Sequence, residues 1–132
     1  MGAEPYEYLV PFQANVQNAL EELRAVVFAS GEFNTADLGP ATPDEALEMA
    51  DADGTGSILD IQRIAQEPDF FCAAPFSSDE LVQFFGTEKP SRAQVQRSDN
   101  LWDNVERGQA RYVVLYEGEK PSEIYFAGYS FD

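Results

Sequence analysis

Apolar positions Val16, Leu20, Leu23 and Val27 follow the three- and four-residue spacing of a helix face, with Gln13, Gln17, Glu21 and Arg24 on the opposite side. The segment between Pro11 and Gly31 is therefore predicted as a helix packed along one side and solvated along the other. Tyr6 to Val10, just before it, is short and β-prone. Thr42, Pro43, Asp44 and Glu45 make a helix start, with Thr as N-cap, Pro at the first helical position and Glu at the capping-box position. That acidic helix would turn Ala46, Leu47 and Ala50 inward and stop near Asp53 and Gly54.

From Ser57 to Ile64, Leu59 and Ile61 alternate with Asp60 and Gln62, which predicts a strand. A helical alternative stays open, because Ile58, Ile61 and Ala65 also fit helical spacing and Ser57 with Asp60 could form a capping box. Phe70 to Phe76 is Pro-flanked, aromatic and expected to be extended. Ser77 or Ser78 then caps a short helix through Leu81, Val82 and Phe85, closed by Gly86. After Pro90 a helix with Val95, Trp102 and Val105 on its apolar face is expected, interrupted around Ser98 and Asp99, with Gly108 beyond its end. Arg111 to Glu117 and Ser122 to Tyr129 are the clearest strands, rich in Val, Ile, Tyr and Phe. They should pair as an antiparallel hairpin, and apolar residues on both faces of the first imply a covered sheet position.

These elements predict a single acidic α+β domain over residues 1–132. Its antiparallel sheet would contain the C-terminal β-hairpin and Ser57 to Ile64, with helices packed over it. The length of 132 residues, 44% hydrophobic with ten Phe and six Tyr, suits one self-sufficient core and excludes a disordered acidic tail. The chain has no apolar run near the roughly 20 residues that span a bilayer, and no basic region leading into an apolar signal core, so the expected location is cytoplasmic.

Composition narrows the chemistry. There is no histidine and one cysteine, which excludes an intramolecular disulfide, a Cys/His zinc site and any His-based catalytic triad within the chain. Cys72, between Phe71 and Ala73, reads as a buried structural thiol. With 24 Asp and Glu, some carboxylates must lie near others, so no pair can be singled out as catalytic. No catalytic residue and no cofactor is assigned.

The net charge of −16 repels phosphate backbones and anionic headgroups, so neither nucleic acid nor membrane is an expected partner. A basic protein would be attracted and steered. The function expected on this ground is a non-enzymatic interaction module, of the inhibitor or immunity type, for a basic partner such as a nuclease toxin. Its contacts would come from the densest acidic cluster, Asp44, Glu45, Glu48, Asp51 and Asp53. A competing explanation is adaptation to high salt, since the chain carries only two lysines, Lys89 and Lys120.

Residues 51 to 62 resemble an EF-hand calcium loop. Asp51, Asp53 and Thr55 stand at the first three side-chain ligand positions, Gly56 at the turn, Ser57 at the carbonyl position and Ile58 at the aliphatic one. The resemblance implies a weak calcium site formed by Asp51, Asp53, Thr55 and Ser57. Gln62 stands where the family has its bidentate glutamate, which removes one charge and lowers the expected affinity. The bland reading of the same residues is an acidic helix ending in a glycine turn that feeds a strand.

At the C-terminal end, Tyr125, Ala127, Tyr129 and Phe131 share one face of an extended strand. That face is either core, the favoured reading, or a binding surface. Gly54 to Ile61, Phe85-Gly86-Thr87 and the ending from Phe126 to Asp132 together resemble small uncharacterised bacterial proteins. That resemblance implies a compact domain and brings no activity, cofactor or site residue with it.

Overall fold

A computed structural model describes residues 5–30, 57–97, 100–106 and 108–129. Strand β1 (Pro5–Pro11) leads into helix α1 (Val16–Ser30). A 3-10 turn (Ile58–Asp60) precedes the short strand β2 (Arg63–Ile64) and then β3 (Cys72–Pro75). Three short helices follow, α2 (Ser78–Phe85), α3 (Arg92–Arg97) and α4 (Asn100–Asp103). Strands β4 (Ala110–Glu117) and β5 (Lys120–Tyr129) complete the fold.

The α+β class expected from the sequence is present, as a five-stranded sheet of order β1-β5-β4-β3-β2. Its antiparallel part is β1 with β5 and β5 with β4. The other half corrects the expectation of an antiparallel sheet throughout, because β3 runs parallel to β4 and β2 parallel to β3. Helices α2 to α4 supply the crossover that a parallel β3–β4 pair requires. Between β4 and β5 the register slips at Leu115 and Tyr116, whose partners are Glu123 and Pro121. Ser122 is therefore the extra residue of a bulge. There the Tyr116 N–H leaves the ladder and donates to Pro90 O at 2.9 Å.

Alternation along the strands puts a core on each side of the sheet. On one face Tyr6, Ala110, Ile124 and Phe126 pack under Ala19, Leu20, Leu23 and Val27 of α1, with Ile58, Leu59 and Ile61 beside them. On the other, Val113, Leu115, Tyr125 and Ala127 pack under Phe76, Phe85, Val95, Leu101 and Val105. Helix α2 begins at a capping box formed by Ser77 and Glu80 and ends at Gly86, whose φ of 83° is the left-handed cap expected of glycine.

Two local expectations need correction. Only Arg63–Ile64 of the segment Ser57 to Ile64 is strand. Ile58, Leu59, Asp60 and Ile61 are all fully buried, so the alternation seen in the sequence does not correspond to one buried and one exposed face. The Ser57 side chain instead accepts from Leu59 N at 3.2 Å, and Ile61 N donates to Ile58 O at 2.9 Å, closing a 3-10 turn. Helix α1 is also less solvated on its polar side than its sequence suggests. Arg24 is buried and donates to Leu59 O at 3.1 Å, while half-buried Gln17 accepts from Ile64 N at 2.8 Å. Both clamp the 57–64 segment onto α1, satisfying backbone groups that neither helix nor ladder would pair.

Candidate functional site

Strand β1 lies at the edge of the sheet, and its residues alternate between a covered and an open face. Tyr6, Tyr8 and Val10 belong to the core under α1. Pro5, Glu7, Leu9 and Pro11 face the other way and are exposed. Pairing with β5 sets Pro5 opposite Tyr129, Glu7 opposite Ala127 and Leu9 opposite Tyr125. Glu7 thus places a carboxylate directly beside Tyr125, Ala127 and Tyr129 of β5.

Tyr125 Oη donates to Glu7 Oε2 at 3.0 Å. Burial, reinforced by the Glu7 charge, pushes the Tyr125 phenol far above its ordinary value, so it remains a donor at any physiological pH. Helix α4 brings Trp102 edge-on to Tyr129, with ring centroids 5.2 Å apart. Two adjoining hollows open here. One of about 190 Å³ is lined by Glu7, Val95, Gln96, Leu101, Trp102 and Tyr125. The other, of about 480 Å³, is lined by Pro5, Tyr6, Glu7, Trp102 and Tyr129. Glu7 and Trp102 border both, so the two form one cleft with a carboxylate and aromatic rings on its walls. A carboxylate accepts at about four lone-pair positions, and among the described residues only one is taken, by Tyr125, so Glu7 can receive a further donor.

The acidic residues singled out from the sequence, Asp44, Glu45, Glu48, Asp51 and Asp53, lie outside the described residues, as do Thr55 and the helix expected from Thr42 to Asp53. Of the four candidate calcium ligands only Ser57 is described. It is buried as the cap of the 3-10 turn, and its carbonyl accepts from Asp60 N at 3.1 Å. Beyond Gln62 the chain enters β2. Cys72 is fully buried in β3, and that burial pushes its thiol up.

The sequence places Tyr125, Ala127, Tyr129 and Phe131 on a single face, as core or as binding surface, and Phe131 lies outside the described residues. The structure divides that face: Tyr125 and Ala127 are buried, whereas Tyr129 is only partly covered and reaches the cleft. Glu7 was not singled out. Its signal was a lone charge in the alternating run Pro5-Tyr6-Glu7-Tyr8-Leu9.

No protein-family model matches the chain, and comparison with curated proteins and with solved structures gave no match either. Among the described residues, no helix is long and apolar enough to cross a membrane.

Proposed function

We propose that this chain is a non-enzymatic interaction module that binds a basic protein, of the inhibitor or immunity type, in the cytoplasm. One observation carries the reading: the negative charge is largely uncompensated, and four of the eight cations that oppose it are already paired with carboxylates of the chain itself. Against 24 carboxylates there are 8 Lys and Arg. Of these, Arg63 stands 3.7 Å from Asp69, Lys89 2.7 Å from Glu119, Arg92 2.6 Å from Glu123 and Arg111 3.6 Å from Glu80. Such a surface attracts and orients a cationic partner and repels nucleic acid, membranes and other acidic proteins. The Asp44, Glu45, Glu48, Asp51 and Asp53 cluster supplies the strongest local field in this proposal.

Affinity capture from the native host tests it. A basic protein should be retained at low salt and released at high salt. Retention should fall when the five residues of the cluster are replaced by Asn and Gln. Retention of no basic protein, or retention indifferent to both salt and the five substitutions, overturns the reading.

A further inference from the structure

We infer that the cleft between β1, β5 and α4 receives an arginine side chain of the partner, its guanidinium paired with Glu7 and held against the ring of Trp102. This rests on the proposal that the partner is basic, and names the contact it makes.

The walls supply both halves of guanidinium recognition. Glu7 offers a carboxylate already oriented by the Tyr125 hydroxyl at 3.0 Å. Trp102 and Tyr129, 5.2 Å apart, present aromatic surface in the same hollow. A cation beside an aromatic ring is stabilised by the ring's quadrupole, and arginine combines that contact with a planar fork that fits a carboxylate. The same constellation occurs within the chain itself. The Arg111 guanidinium lies 4.0 Å from the centroid of the Phe76 ring and 3.6 Å from Glu80. Among the described residues the cleft holds the carboxylate and the rings but no cation, which is left to the partner. Access is open, because Glu7 is exposed and Trp102 only half-buried. The surrounding charge of −16 favours a cationic occupant over a neutral or anionic one.

Trp102 is the only tryptophan, so its fluorescence reports on this cleft alone. The probe is an acetylated, amidated peptide alternating Gly and Arg, titrated into the full chain at low salt, with heat measured in parallel. Peptides carrying Lys or the neutral isostere citrulline in place of Arg serve as controls. The Arg peptide should change Trp102 emission saturably, the Lys peptide should bind more weakly, and the citrulline peptide should leave the emission unchanged. Glu7→Gln preserves an acceptor for Tyr125 and should fold normally, yet weaken the Arg peptide about tenfold. Glu21→Gln removes the same charge from α1, on the other side of the sheet, and should weaken it far less. Equal weakening by the two variants, heat without a change in Trp102 emission, or no binding of the Arg peptide each overturns the cleft assignment. Heat that survives Glu7→Gln but disappears when the 44–53 cluster is neutralised rejects the cleft while leaving the basic-partner reading standing.

Discussion

Tyr6 lies across Gly128, its partner in the β1–β5 register, so closely that a Cβ on Gly128 would stand 2.5 Å from Tyr6 Oη and 2.7 Å from Tyr6 Cζ. Gln109 O would be 2.8 Å away on the same side. The missing side chain is what lets the tyrosine ring fold over the strand and close the core at the sheet edge. Gly128→Ala is expected to destabilise the protein by about 1–3 kcal/mol through overpacking. Combining it with Tyr6→Leu should cost less than the sum of the two changes, since each alters the same space. Urea denaturation of the two single variants and the double variant measures this.

Tyr6 Oη is buried without a hydrogen-bond partner among the described residues. Tyr6→Phe removes a desolvated hydroxyl at almost constant shape, so the variant should be as stable as the parent or more so. A loss of more than about 1 kcal/mol on denaturation would mean that the hydroxyl is satisfied in solution.

Arg111 is the corresponding hub on the other face. Its guanidinium donates to Ala74 O at 3.2 Å, Pro75 O at 2.9 Å and Asn104 O at 3.2 Å while lying over Phe76. These bonds tie the parallel β3–β4 seam to the turn after α4. Arg111→Ala should cost about 3 kcal/mol by orphaning three carbonyls. Arg111→Lys should recover less than half of that, because an ammonium cannot reproduce the fork or the stacking. Thermal or urea unfolding ranks the two variants.

The phenols give a pH signature. Burial raises Tyr6, Tyr112 and Tyr125 above the ordinary tyrosine value of 10.0, with the charges of Asp60 and Glu7 adding to it at Tyr6 and Tyr125 respectively. A group with a raised folded pKa binds its proton more tightly in the native state. Its contribution to stability is therefore complete below the unfolded value of about 10 and is lost as pH climbs towards the folded one. Stability should fall above that pH, and part of the tyrosinate absorbance should develop only with loss of the far-ultraviolet circular dichroism. Titration of all six tyrosines ahead of unfolding would contradict this.

How far the fold could be read in advance follows from which signals are local. Helix α1, the Ser77 cap, the Gly86 stop and the two C-terminal strands are written in spacing, capping residues and β-branched content, and the elements stand near where those signals put them. The parallel direction of β3 against β4 is not local, since Cys72–Pro75 is equally extended in either orientation. Ser57 to Ile64 misled because Asp60 and Leu59 are both fully buried, so polarity there does not mark exposure. Arg24 fell on the polar side of α1 for the same reason. The cleft was legible only in pieces: Tyr125 and Tyr129 share a face by alternation, but their meeting with Glu7, 118 residues from Tyr125, and with Trp102 is set by strand pairing and chain crossover.

Calcium binding by the 51–62 loop is a proposal separable from partner binding. With Gln62 at the twelfth position the site would have the Asp51 and Asp53 carboxylates and no bidentate glutamate. Calorimetric titration is expected to show no saturable heat below about 1 mM calcium, the weak end of such sites. Heat in the submillimolar range that vanishes in an Asp51→Ala, Asp53→Ala variant would instead establish a real site.

Salt distinguishes an acidic binding surface from an acidic adaptation to brine. Two effects oppose each other in the isolated protein. Screening relieves the self-repulsion of a −16 surface, and it also weakens exposed ion pairs such as Lys89 with Glu119 and Arg63 with Asp69. Exposed pairs contribute little, so relief of repulsion should dominate at first and the melting temperature should rise with potassium chloride. The Debye length is already about 8 Å at 0.15 M and about 3 Å at 1 M, so little repulsion is left to screen beyond that range. For a protein whose charge serves a partner, the melting curve should therefore level off by about 1 M. Partner retention, which depends on long-range attraction, should decline over the same interval. A melting temperature that keeps climbing well beyond it would assign the charge to salt adaptation and remove the electrostatic ground for a basic partner.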